Sequence, residues 1–282
     1  MKISLCTITF RHHLLSMEDI AHWATSNHFD GIELWGIHAI NMSQHGCYDA
    51  DWLAEFGLGV PMISDYLPTE GPSSAMRDRA LLLCGLARHW RAPRLRTFAG
   101  GMSSAVASPD DWTRIANRLR EACRIAADYG ISLVVETHPN TLADRLSSTM
   151  RLIAEVDHPA LTLNFDVLHV WEGGDDPVAA RRALLPHIGY YHLKTIRSRG
   201  DLSVFEPGNV YAAAGRREGM MPLLEGAVDY DRFLPDLLGD PDAEASLEWF
   251  GPECFSVLRN DRLALGGLAG RSRTTLTETV FS

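Results

Sequence analysis

The sequence predicts an α/β fold, a (β/α)₈ barrel with a long loop after its seventh strand. Three observations carry that prediction. Short apolar runs alternate with helical stretches from the first residues to about residue 265. The runs are mostly continuous in their apolarity, as expected of parallel strands covered on both faces. Four of them deliver an acid or an imidazole at their C-terminal ends, and those ends form one shared rim in such a barrel.

The elements follow in order. KISLCTI reads as the first strand, and Met17 to His28 as a helix capped by Ser16. GIELW (31–35) is the second strand. GVPMISDYL (59–67) contains the third, with a Leu/Ala-rich helix over 75–90 after it. RLRTFAG (94–100) is the fourth. The run Ser108-Pro109-Asp110-Asp111 is a strong helix start, with a cap, a proline at the first helical position and an acid three residues after the cap. That helix extends to about Tyr129 and stops at Gly130.

ISLVVE (131–136), LTLNFD (161–166) and IGYYH (188–192) are strands five to seven, with helices over 147–156 and 176–186 between them. Residues 195–228 then interrupt the alternation. A segment this long in a compact domain is usually functional, and here it reads as a lid or pocket wall. A helix over 230–238, the strand ASLEW (245–249) and a helix over 253–265 complete the count. Residues 1–265 are expected to form a single catalytic barrel. Residues 266–282 lose periodicity, turn Thr/Ser/Arg-rich and read as a partly disordered tail.

With 282 residues, 46% of them hydrophobic, the chain can bury a sizeable core. A formal charge of −10 without any basic run argues against a nucleic-acid backbone or an anionic membrane as partner. It leaves room for a small anionic substrate met by a local cation. Five widely spaced cysteines without a CxxC suggest reduced thiols in a cytoplasmic protein. The N-terminus lacks the h-region of a signal peptide. Association through outer helices would make a homo-oligomer.

The residues at the strand ends bear the chemistry. Glu136, Asp166, His192 and Glu248 are an oxygen-rich set with one imidazole, suited to one hard or borderline divalent metal ion. The intervals from Glu136 to Asp166 and from Asp166 to His192 are each about one β-α unit. Each residue also has an ordinary reading. Asp166 is a common N-cap residue, His192 a buried neutral imidazole, Glu136 a solvated strand end and Glu248 half of an ion pair. His138 shares a strand face with Glu136. Lys194 shares one with His192 and suits an oxyanion or a substrate carboxylate. Arg96 suits a carboxylate held bidentately, and equally an ion pair with a proposed ligand or with Glu33. Tyr66 follows the third strand and is a candidate pocket residue. Trp171, Phe205 and Phe250 make an expected aromatic wall.

Several segments carry a resemblance. ETHPNT, DxLHxWE, YHxK and SLEWFG resemble the xylose-isomerase-like TIM-barrel superfamily. SLCTITFRH, GIELWG, MISDYL, RTFAG and FEPxNVYAAAG are similar to the bacterial 3-dehydroshikimate dehydratases of petrobactin-type catecholate siderophore biosynthesis within it. The resemblance spans about residues 1–260. It implies a lyase that dehydrates 3-dehydroshikimate to protocatechuate with a divalent cation, Mn²⁺ or Mg²⁺. It implies Glu136, Asp166, His192 and Glu248 as ligands, and His138 as base or proton shuttle. It further implies Arg96 and Lys194 as substrate holders, and His169 as support for the metal or the substrate. A sugar or keto-sugar isomerase or epimerase would share the ligands. Two cations and an aromatic wall favour a planar carboxylic acid over a polyol.

Overall fold

In a computed structural model, the backbone is described for residues 1–280 and the side chains for residues 1–269. Eight parallel strands close into a barrel. They are β1 (Lys2–Cys6), β2 (Gly31–Trp35), β3 (Ile63–Ser64), β4 (Arg94–Thr97), β5 (Ser132–Glu136), β6 (Leu161–Asp166), β7 (Ile188–Leu193) and, last in the chain, β10 (Glu244–Leu247). Between β7 and β10, β8 (Thr195–Ile196) pairs antiparallel with β9 (Met220–Met221), outside the barrel. β1 closes the ring by pairing with both β2 and β10.

The helices are α1 (Met17–Ser26), α2 (Gly36–Met42), α3 (Ala50–Ala54), α4 (Ser73–His89), α5 (Pro109–Asp128) and α6 (Leu146–Val156), followed by α7 (Val167–Gly173), α8 (Pro177–Leu184), α9 (Pro207–Val210), α10 (Tyr230–Leu238) and α11 (Cys254–Val280). Their starts follow side-chain chemistry. Ser16 and Ser108 each close a reciprocal capping box, with Asp19 and Asp111 respectively. Asp49, Asp176 and Asp229 cap α3, α8 and α10. None of the described helices is long and apolar enough to cross a membrane.

Strand alternation builds the barrel interior in layers. Met62, Val134 and Tyr190 form a small apolar cluster separate from the main core. Two residues onward from each, on the same strand face, stand Ser64, Glu136 and His192. The apolar plug therefore lies directly beneath the polar rim. At the opposite end of the barrel, Glu244 pairs with Lys2 and Arg94.

Some expectations shift. The first strand stops at Cys6, because residues Thr7–Phe10 tighten into a 3₁₀ turn. The first long helix ends at Ser26, with Asn27 and His28 turning the chain back. The last helix, α11, begins at Cys254 and extends through the residues expected to form the tail as far as Val280. The final two positions of that tail, 281 and 282, lie outside the described residues.

Ser108→Ala is expected to cost about 1 kcal/mol by removing the α5 cap, read as a lowered midpoint in urea at unchanged slope.

Candidate active site

Alternation and register bring the rim residues together. Asp166 pairs in register with His192, which pairs in turn with Ser246. Glu248 extends β10, its backbone N–H donating to the Leu193 carbonyl. Asp166 and His192 are fully buried, and Glu136, Glu248 and Lys194 are nearly so.

His192 stands at the centre. Its Nδ1 lies 3.5 Å from Glu136 Oε1, 3.8 Å from Asp166 Oδ2 and 3.8 Å from Glu248 Oε2. Its Nε2 lies 3.0 and 3.1 Å from the two oxygens of Glu33. Glu33 also accepts the Ser64 hydroxyl hydrogen. Two overlapping triads have ligand atoms within 4.8 Å of one another. They are Glu136–Asp166–His169 and Asp166–His192–Glu248.

The cations interleave with these acids. Lys194 Nζ lies 2.7 Å from Asp166 Oδ2 and pairs with Glu248. Arg96 Nε lies 3.1 Å from Glu136 Oε2, within ion-pair distance though not aligned as a hydrogen bond. The Arg96 guanidinium also covers the rings of Tyr66 and Phe98.

The donor set fits a divalent ion on two grounds. First, His192 Nδ1 is buried with no hydrogen-bond partner, and Glu136 Oε2 and Asp166 Oδ2, also without one, meet only the ion-pair contacts of Arg96 and Lys194, which leaves buried lone pairs for a further cation. Second, Glu33, Glu136, Asp166 and Glu248 are four carboxylates against two permanent cations, Arg96 and Lys194. A doubly charged ion would balance that deficit with His192 neutral.

Ionisation follows the same logic. Burial opposes charge on Glu136, but Arg96, His192 and Lys194 outweigh it and hold the carboxyl well below the usual range. Burial likewise opposes charge on His192. Glu33, Glu136 and Glu248 outweigh it and hold the imidazole well above its ordinary value, so the proton stays until another cation displaces it. His138 goes the other way. Burial, aided by His169, pushes it well below the ordinary imidazole range, and it is neutral. Its Nδ1 lies 2.8 Å from the Pro139 carbonyl oxygen. Only a donor suits that partner, so the hydrogen sits on Nδ1 and Nε2 is left as the basic nitrogen.

A cavity of about 300 Å³ opens over this centre. Arg96, Glu136, His138, His169, Lys194 and Glu248 form its polar side, while Tyr66, Phe98, Phe205, Tyr211 and Phe250 form its aromatic side. A slightly larger hollow, about 350 Å³, lies at the other end of the barrel around Lys2 and Glu244. It has none of the convergent unpartnered groups found at the rim.

Most sequence-derived candidates thus converge in space, and several of the ordinary readings hold as well. Asp166 caps α7 through Oδ1, which accepts the His169 backbone N–H, and turns Oδ2 to the centre. Arg96 does pair with Glu136. His169 anchors its Nδ1 on Glu172 at 2.7 Å and faces the cavity.

Trp171 is the exception. It lies outside the cavity lining, beneath the Arg199 guanidinium. Two helical positions from the cavity-facing His169 amount to a rotation of about 200°, which carries Trp171 away from the pocket. Sequence reasoning also undervalued Glu33, seen only as a possible ion-pair partner. The signal was present, for GIELW carries an acid near its end as ASLEW does. Phe98, two residues after Arg96, was the other omission, while Tyr211 belongs to the long segment expected to be a lid or pocket wall.

Comparison with known proteins gives consistent results. The profile of the Xylose isomerase-like TIM barrel family matches residues 21–269. The chain is 45% identical over 273 residues to a 3-dehydroshikimate dehydratase of Bacillus anthracis, covering 94% of this chain and 96% of that protein. It superposes with a TM-score of 0.89 and 43% identity on the crystal structure of the probable 3-DHS dehydratase AsbF of Bacillus anthracis, involved in petrobactin synthesis. That match covers 94% of this chain and 99% of the other. The IOLI protein, solved with a bound zinc atom, shares the fold at a TM-score of 0.72 and 16% identity, over the whole of both chains.

Glu33→Ala is expected to destabilise the fold by about 3 kcal/mol, because it strands the buried His192 Nε2 and the Ser64 hydroxyl. Chemical denaturation measures this directly.

Proposed function

The chain belongs to the xylose isomerase-like TIM barrel family, and on that premise we propose that it is a 3-dehydroshikimate dehydratase, a hydro-lyase that converts 3-dehydroshikimate to protocatechuate and water. The observation that carries this reading is 45% identity, across almost the full length of both proteins, to a relative of that activity. The cavity agrees with it. An aromatic wall faces a cationic and carboxylate-rich floor, which suits a six-membered ring that bears a carboxylate and becomes flat as it turns aromatic. The product would feed a catecholate siderophore, in keeping with the petrobactin role of the structural relative. Five unpaired cysteines suit a cytoplasmic enzyme.

Glu136, Asp166, His192 and Glu248 would hold one divalent ion, Mn²⁺ or Mg²⁺, with His169 in reach as a further donor. When bound, that ion supplies Lewis-acid stabilisation of the charge developing on the substrate ketone oxygen. Glu33 holds His192 so that Nδ1 faces the other ligands.

The chain's own groups account for the remaining steps. Arg96 has buried guanidinium nitrogens without hydrogen-bond partners, and it lines the cavity, where it anchors the substrate carboxylate. His138, neutral with Nε2 unprotonated, takes a proton from a ring carbon beside the ketone. Burial works against the charge on Lys194, but Asp166, Glu248 and Glu136 hold it protonated. It gives the departing β-hydroxyl the proton that turns it into water. The neutral Lys194 amine then takes the second ring proton, and protonated His138 returns its proton to the former ketone oxygen, so that the aromatic ring carries a phenol and both side chains regain their starting states. Phe205 and Phe250 flank the Lys194 ammonium and limit water around it.

Mixing the protein with 3-dehydroshikimate and Mn²⁺ should produce a growing catechol absorbance band. A flat trace with every divalent metal offered would reject the dehydratase reading. His138→Ala should retain metal and lose roughly a hundred- to ten-thousandfold in kcat. Glu248→Ala should weaken Mn²⁺ binding by at least about tenfold in calorimetric titration.

A further inference from the structure

We propose that Arg11 is a positioning residue that pins the 199–219 segment over the cavity, so that it sets how tightly substrate is held without touching it. Arg11 follows the 3₁₀ turn after β1 and is not among the cavity-lining residues. Its Nε donates to the Val210 carbonyl at 2.7 Å, and its Nη1 donates to the Ile8 carbonyl at 3.1 Å. The guanidinium carbon lies 4.8 Å from the centroid of the Phe250 ring. Ile8, Val210 and Phe250 all line the cavity. They come from three distant parts of the chain: the turn after β1, the long segment, and the stretch after β10. One side chain joins the three from behind.

The point of attachment matters. Val210 ends α9, where helix carbonyls lack intrahelical donors. His12 Nε2 lies 3.1 Å from the same oxygen. The next residue, Tyr211, crosses the mouth of the cavity. Its hydroxyl meets that of Tyr66 at 2.9 Å, and its ring stacks on Trp35. Anchoring Val210 therefore fixes Tyr211.

Arg11 is an expensive residue for a simple turn. Burial, with Arg217 nearby, pushes its guanidinium down to about 10, and its Nη2 is buried without a hydrogen-bond partner. An apolar side chain would cover Phe250 at lower desolvation cost. Only a guanidinium reaches two carbonyls on separate segments at once.

The test uses Arg11→Met in the full chain with Mn²⁺. Methionine keeps an apolar stem for Phe250 and removes both donors. The substrate assay rests on the dehydratase reading; hydrogen exchange of the peptide spanning 205–213 does not. In Arg11→Met, KM for 3-dehydroshikimate should rise roughly five- to twentyfold with kcat within about twofold. Exchange in that peptide should quicken, and exchange over 132–136 should stay as in the wild type. A KM equal to the wild type, or a fall in kcat at constant KM, overturns the proposal. Should the wild type fail to turn over this substrate, the exchange arm decides: unaltered exchange in 205–213 overturns the assignment, and quickened exchange upholds it. If Arg11→Met does not fold, Arg11→Lys takes its place. Lysine keeps the charge but reaches only one carbonyl, and the same criteria apply.

Discussion

Four carboxylates buried around one histidine are the constraint on which the rest of this structure depends. Such a cluster repels itself strongly in a low-dielectric setting, and each member must be matched by a cation or a donor. Arg96 from β4, and His192 and Lys194 from β7 and the residue just after it, meet part of that need. The barrel makes this feasible because closure puts eight strand ends around a small circle. No helix pair or open sheet brings so many independent side chains to one point. The apolar plug of Met62, Val134 and Tyr190 beneath them keeps the interior dry and the side chains upright. Stability and chemistry are thus coupled, and Glu33 serves both.

Much of this was legible in the sequence, for physical reasons. Strands five, six and seven were readable because they are short, largely apolar runs that end on an acid or an imidazole. Capping residues such as Ser16 and Ser108 are local signals that survive without tertiary context. The candidate ligands stood out because each falls at the same point of a repeating unit. What escaped were features set by tertiary contact. The orientation of Trp171 depends on which face of α7 meets the cavity. The β8–β9 pair involves two residues on each side, too few to show periodicity.

The ligand set by itself does not select the reaction. Metal-assisted enolisation begins isomerisation, epimerisation and dehydration alike. The walls make the distinction. A polyol calls for many hydroxyl-pairing side chains, whereas here Tyr66, Phe98, Phe205, Tyr211 and Phe250 present flat faces. The proton-handling groups also differ in state. His138 is held neutral by burial, whereas Asp166, Glu248 and Glu136 outweigh burial and hold Lys194 charged, so the two groups differ in state at the same pH.

The short antiparallel pair at the base of the long excursion has a bearing on how this enzyme can be altered. Thr195 and Ile196 are tied to Met221 and Met220, so everything between them leaves and re-enters the barrel at one fixed gate. Lengthening a tethered loop costs only the logarithm of its added length. The barrel would scarcely register residues inserted or exchanged inside that gate, whereas the pocket would feel them at once. Substrate range can therefore be retuned there as a separate module, leaving the catalytic floor untouched.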